Sequence, residues 1–185
     1  MIPWERTISD TQTKIGYRTI VHKSFFAPDG TVRTYDIVNP IGTEVGLVVA
    51  ITPEKKVIVA EQFRPGPEKI MLELPGGFAN PGETPEQTAR RELKEETGYV
   101  SERFQYLGPV YKDGYSNGVW HVFAAFDCTL AGPSETDDGE FVDVHLISIA
   151  ELIQNAQTGK MTDSGGVLLA YELLKEMEGK DGKSC

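Results

Sequence analysis

Two apolar runs, Val45 to Ile51 and Val57 to Phe63, stand out from a chain that elsewhere alternates apolar and polar positions, and the charged turn TPEKK joins them. Short apolar runs bounded by turn formers predict buried strands. Upstream, β-branched and aromatic residues alternate from Lys14 to Ala27 and from Thr31 to Val38 around PDG, which predicts a two-stranded hairpin behind an irregular polar leader at 1–13. Downstream, MLEL, Arg103 to Leu107, Val119 to Cys128 and FVDVHLI predict further strands, with loops at Arg64 to Lys69, at KDGYSNG and over the acidic stretch 129–139. The period changes to that of a helix in three places. One helix is bounded by Thr84 and Gly98, one runs from Ile149 to Gln157, and one from about Gly166 to Met177 is capped near Thr162 or Asp163. Val167, Leu168, Tyr171, Leu173 and Leu174 are its apolar members.

Strands interrupted by one helix and followed by two predict an α/β fold in which a mixed sheet is covered by helices on both faces. The expected organisation is an antiparallel N-terminal strand extension at 1–44, a main domain at 45–178 and a frayed tail at 179–185.

The helix after Thr84 carries the chemistry. Thr84 can cap it, Pro85 occupies its first position, Gln87 closes a capping box and Gly98 stops it. Glu92, Glu95 and Glu96 then stand at i, i+3 and i+4, so their carboxylates share one face. Like charges at that spacing weaken a helix by about 0.2–0.5 kcal/mol per pair. A solvated face relieved by Arg90, Arg91 and Lys94 is one reading. The approach LPGGFANPGE supports another, because Gly76, Gly77 and Gly82 let backbone come close to a ligand. Carboxylates with backbone oxygen make a hard-cation site suited to Mg²⁺ or Mn²⁺ together with substrate phosphate.

Composition narrows the partners. Among 185 residues, 39% hydrophobic and 25% charged content is that of an ordinary globular domain, and a net charge of −10 with no Lys/Arg cluster argues against nucleic acid and anionic membranes. Cys128 and Cys185 make neither a disulfide framework nor a zinc spacing, which with the absence of a secretory or spanning apolar run leads us to expect a cytoplasmic protein. His22, His121 and His145 lie in strand patterns and read as structural, and PGGFANPG lacks the spacing of a dinucleotide fingerprint.

Gly77, Glu83, Arg91, Glu92, Leu93, Glu95, Glu96 and Gly98 together resemble the signature box of the Nudix hydrolase family, with Tyr99 standing where an aliphatic residue is usual. The resemblance implies that family's α-β-α sandwich. EQFRPG, LELPGG, FVDVHLIS and GKMTDSGG resemble its ADP-ribose pyrophosphatase and nucleoside diphosphate sugar branch, although Tyr115 occupies a position where many such enzymes have proline. By this resemblance Glu92, Glu95, Glu96 and the Gly76 carbonyl would hold the cation, Glu83 would lie behind them, and Arg91 would orient the glutamates. Glu95 and Arg91 thus count as catalytic, and Glu140, with Asp138 behind it, is the candidate general base or further ligand in the loop before FVDVHLIS. Arg64 would contact phosphate or the terminal ribose, the alternative being a surface salt bridge. The branch also implies a homodimer, in which Trp4 or a neighbouring ring would stack on the nucleobase of the other subunit's substrate; otherwise Trp4 packs on its own domain. The implied reaction is metal-dependent cleavage of an ADP-ribose-type diphosphate. Hydrolysis of dinucleoside polyphosphates and nucleotide sensing without turnover are the alternatives.

Overall fold

The computed structural model describes residues 3–7, 10–135 and 141–179. They form two units, one from Met1–Glu44 with Tyr111–Val119 and one from Val45–Val110 with Trp120–Cys185.

In the first unit β1 (Glu5–Arg6), β2 (Thr11–Ile15), β3 (Arg18–Phe26) and β4 (Val32–Val38) make an antiparallel sheet in which β3 pairs with all three others. The single strand expected over 14–27 is therefore corrected. Gly16, at φ +60°, takes the left-handed conformation that glycine tolerates, and the chain turns there so that Ile15 pairs with Arg18. The expected PDG turn forms, with Asp29 Oδ1 accepting from the Thr31 N–H at 3.0 Å. The KDGYSNG segment joins this unit: the Val38 N–H donates to the Tyr115 carbonyl at 2.8 Å and the Asn117 N–H to the Val38 carbonyl at 2.9 Å.

The second unit is built on a seven-stranded sheet. Its strands are β5 (Glu44–Ile51), β6 (Lys56–Arg64), β7 (Lys69–Glu73), β8 (Gly76–Phe78), β10 (Arg103–Val110), β11 (Val119–Phe126) and β13 (Asp143–Ser148). The order is β10-β11-β5-β6-β13, with β7 also on β6 and β8 on β5, while β9 (Tyr99–Val100) and β12 (Thr129–Leu130) form a separate pair. The helices are α1 (Pro85–Thr97), α2 (Ile149–Gln157) and α3 (Ser164–Gly179).

Alternation along β5 and β6 divides the core. Val45, Leu47, Val49, Ile51, Val57 and Val59 pack with Leu152 of α2 and Val167, Ala170 and Leu174 of α3. Val48, Ala50 and Ile58 pack on the other face with Ala89 and Leu93 of α1. Helices thus cover both faces, as the α/β expectation required, and fully burying Leu93 or Leu174 contributes about 1.5–3 kcal/mol.

Local expectations are corrected at several points. Within the glycine approach, read from the sequence as a turn into the helix, Gly76–Phe78 is a strand, with Gly76 and Gly77 paired with Leu47 and Gly46. Strand β10 continues past Leu107 to Val110 by shifting register between Tyr106 and Gly108, and Thr129–Leu130 is paired rather than looped. On α3, Leu168 and Tyr171 are exposed, and the face that packs is Val167, Ala170 and Leu174. Residue 179, assigned to the tail, ends α3; residues 180–185 lie outside the described part. Among the described residues no helix is long and apolar enough to cross a membrane.

Candidate functional site

Helix α1 begins as its sequence dictates. The Thr84 side chain accepts from the Gln87 N–H at 3.3 Å, Gln87 Oε1 accepts from the Thr84 N–H at 2.9 Å, and Gly98 closes the other end at φ +74°. Thr88, Ala89, Leu93 and Thr97 face the sheet, which turns Arg91, Glu92, Glu95 and Glu96 away from the core.

Arg91 is the hub of this surface. Its Nε donates to Glu83 Oε1 at 2.9 Å, its Nη2 to Glu83 Oε2 at 3.1 Å and to the Phe78 carbonyl at 3.0 Å, and its Nη1 to Glu92 Oε1 and Glu95 Oε2 at 2.8 Å each. One guanidinium therefore offsets the repulsion between Glu92 and Glu95, which the sequence set side by side, and ties both to Glu83, which precedes the helix. The electrostatic consequences are mutual. Arg91 holds the Glu83 carboxyl down to about 2, with help from the Asn80 N–H, and the Glu83 bonds lead in raising the Arg91 guanidinium above its usual value.

Strand β8 supplies the backbone side. The Gly76 N–H donates to Glu96 Oε2 at 2.9 Å. A Cβ on Gly77 would lie 2.2 Å from Glu92 Oε1, so any side chain there would push the Glu92 carboxylate from its place. Glu92, Glu96, Gly76 and Gly77 thus meet at one strand–helix junction, with Glu95 tied in through Arg91.

Among the described residues, no three His, Cys, Asp or Glu side chains already enclose a metal position. The donor set nevertheless fits a hard cation: it is carboxylate oxygen throughout, it borders a glycine backbone that admits close approach, and Arg91 fixes Glu92 and Glu95.

Arg64 and Glu73 form a second charged contact on the sheet. Arg64 Nε donates to Glu73 Oε1 at 2.5 Å and its Nη2 to Glu73 Oε2, while Gln62 Nε2 reaches Glu73 Oε2 at 3.2 Å. The sequence pointed to Arg64 and overlooked Glu73, whose only signal was an acid in the otherwise apolar MLEL.

Trp4 sits in the first unit beside a cavity of about 630 Å³, with Phe25, Tyr35, Tyr115, Lys23 and Asn117 among its lining. Tyr35 is the centre, its ring 6.5 Å from Trp4, 6.1 Å from Phe25 and 6.2 Å from Tyr115. The odd Tyr115 of the sequence thus belongs to an aromatic group, which sequence reasoning reduced to Trp4 because its members lie on separate segments. Glu140 and Asp138, the candidates for the base, lie outside the described residues.

The histidines have neighbouring partners. His22 lies between Thr13 Oγ1 at 3.0 Å and Asp36 Oδ1 at 2.6 Å, His121 Nδ1 is 2.9 Å from the Tyr106 hydroxyl, and His145 Nε2 is 3.2 Å from Glu61. Cys128 is buried, which pushes its thiol up to about 11.

Comparison with known proteins locates this junction within a family pattern. Residues 42–167 match the model of the NUDIX domain. The chain is 33% identical over 152 residues to an ADP-ribose pyrophosphatase of Bacillus subtilis, covering 80% of this chain and 81% of that one. It is 33% identical over 148 residues to the methanol dehydrogenase activator of Bacillus methanolicus, covering 79% of each. An ADP-sugar pyrophosphatase of Mus musculus is 35% identical over 137 residues, 65% of this chain and 62% of the mouse protein. The fold matches the crystal structure of an ADP compounds hydrolase with a TM-score of 0.76 at 21% identity, covering 94% of this chain and 96% of the other.

Proposed function

The chain belongs to the Nudix family, whose members in general use divalent metal ions, and from that premise we propose that it hydrolyses the diphosphate of an ADP-ribose-type nucleoside diphosphate sugar. Water would enter at one phosphorus and the bridging P–O bond would break, giving a nucleoside monophosphate and a sugar phosphate. The observation that carries this reading is the junction at which Arg91 binds Glu83, Glu92 and Glu95 while Glu96 accepts from Gly76. The likeness to the B. subtilis ADP-ribose pyrophosphatase supports the substrate class.

Glu92, Glu95, Glu96 and the Gly76 carbonyl would hold the cation, Mg²⁺ or Mn²⁺. When bound, such an ion neutralises diphosphate charge and lowers the pKa of coordinated water. Arg91 keeps Glu92 and Glu95 in place, and Glu83 keeps Arg91 in place. Glu140 is assigned the task of taking the proton from the attacking water, and Arg64 that of contacting phosphate. The domain responsible is 45–178. We further assign a cytoplasmic homodimer, in which the aromatic cavity around Trp4 and Tyr35 receives the nucleobase of the substrate bound by the other subunit; flat rings and a polar rim of Lys23 and Asn117 suit a base.

A panel of ADP-ribose, other nucleoside diphosphate sugars and dinucleoside polyphosphates, read by phosphate release after coupled phosphatase treatment, tests the reading. ADP-ribose or a related sugar should dominate, with AMP among the products. Preference for dinucleoside polyphosphates would replace the substrate class. No turnover of any member in Mg²⁺ or Mn²⁺ would leave nucleotide sensing without turnover.

A further inference from the structure

Glu73 is an acid whose side chain is only 7% exposed, paired with an Arg64 that is 41% exposed, and the proposed hydrolysis assigns the acid no task. Strand register makes the pairing unexpected. Arg64 stands opposite Lys69, and Glu73 stands opposite Ala60, four residues further along β6. Side chains at 60, 62 and 64 share one face, and the backbone between 60 and 64 spans about 13 Å. Arg64 must lie back along the sheet to reach Glu73, past Gln62, which shares its face and also bonds Glu73.

We infer that Glu73 is a positioning residue: it grips the Nε–Nη2 edge of Arg64 and lays the guanidinium along the sheet, so that Arg64 meets an anionic substrate through its remaining nitrogen, Nη1. The inference rests on the nucleoside diphosphate sugar reading above. Both oxygens of Glu73 are engaged, Oε1 with Arg64 Nε at 2.5 Å and Oε2 with Arg64 Nη2 and with Gln62 Nε2 at 3.2 Å, which fixes the fork in rotation as well as position. The hydrogen bonds that Arg64 donates to Glu73 lead in raising its guanidinium above its usual value, and the negative charges of Asp163 and Glu96 add to it, so the held cation lies within electrostatic reach of a box glutamate.

The strand that carries Glu73 is itself held on both sides. β6 pairs with one edge of β7. On the other, the Leu72 N–H donates to the Lys160 carbonyl at 3.1 Å, the Thr162 N–H to the Leu72 carbonyl at 3.2 Å, and the Leu74 N–H to the Asp163 carboxylate at 3.2 Å. The GKMTDSGG motif thereby acquires a task, bracing the strand that presents Glu73. Stability alone is a poor explanation for a buried charge of this kind, because desolvation offsets the attraction. Orientation of Arg64 is what the geometry delivers.

The test is a double-mutant cycle with ADP-ribose and Mg²⁺, using Glu73→Gln, Arg64→Ala and the pair. Glu73→Gln is expected to lower kcat/KM about 10- to 100-fold, with KM rising more than kcat falls. In the Arg64→Ala background the same change should add little, because its target is already gone. Glu73→Asp, which keeps the charge, should recover part of the loss. Independently of turnover, the Arg64 Nε–H resonance of ¹⁵N-labelled protein should exchange slowly in the wild type and fast in Glu73→Gln. Additive losses, a Glu73→Gln enzyme with wild-type kcat/KM, or an unchanged Nε–H resonance would each overturn the inference. If the wild type turns over no nucleoside diphosphate sugar, the functional reading falls, and the resonance still decides whether Glu73 holds Arg64.

Discussion

Gly46 of β5 lies so close to α1 that a Cβ on it would stand 2.7 Å from the Ala89 amide nitrogen and 2.6 Å from the Pro85 carbonyl oxygen. Both obstacles are backbone, so neither can swing aside. Gly46→Ala should therefore push the acidic helix off the sheet and cost about 1–3 kcal/mol, read as a lower urea midpoint. Gly132→Ala, where a Cβ meets nothing within 4 Å, is the control. Equal midpoints for the two variants would show that α1 does not depend on this contact.

Removing the cation or one of its glutamates should abolish turnover without unfolding the protein. Excess EDTA is expected to stop hydrolysis and added Mg²⁺ to restore it. Glu96→Gln keeps the shape and removes one charge, so kcat should fall by orders of magnitude while the thermal midpoint stays near that of the wild type. Full activity in EDTA would place the chemistry elsewhere.

The contact between Glu83 and Arg91 should outlast most acid conditions. Its carboxyl is lowered from 4.5 to about 2, so the stabilisation is fully present above 4.5 and disappears as pH falls through about 2. The ¹³C shift of the Glu83 carboxyl should titrate with a midpoint near 2. Arg91→Lys removes the two-nitrogen grip and should raise that midpoint. A wild-type midpoint near 4.5 would mean that the guanidinium does not hold Glu83 in solution.

Cys128 should be inert while the chain is folded. Burial pushes its thiol up to about 11, which leaves about one molecule in a thousand as thiolate at pH 8. In a Cys185→Ser background, reaction with a disulfide reagent at that pH should proceed at the rate of unfolding and become immediate in denaturant. Prompt labelling of the native protein would contradict the burial.

Substitution in the aromatic cavity should act on binding rather than chemistry. Stacking of a base on an aromatic ring contributes about 1–3 kcal/mol. Tyr35→Ala and Trp4→Ala are accordingly expected to raise KM for ADP-ribose while kcat holds within about twofold. A change confined to kcat would remove the base from this cavity.

The sequence by itself determined whatever depends on neighbours along the chain. Thr84, Pro85, Gln87 and Gly98 bound α1 through contacts within one turn, and a 3.6-residue period is enough to put Glu92, Glu95 and Glu96 on one side of it. The apolar runs at 45–51 and 57–63 located the two strands at the core for the same reason, since burial on both faces over 45–51 and 57–60 leaves no polar alternation there, while the second strand runs out of the core at Glu61 to Phe63. What only the tertiary structure decided was pairing between distant segments. Arg64 with Glu73, Gly46 beneath Ala89, and the gathering of Trp4, Tyr35 and Tyr115 all depend on strand register and on how far a side chain reaches across a sheet. A period of two residues says which face a residue takes and nothing about which partner it will meet there.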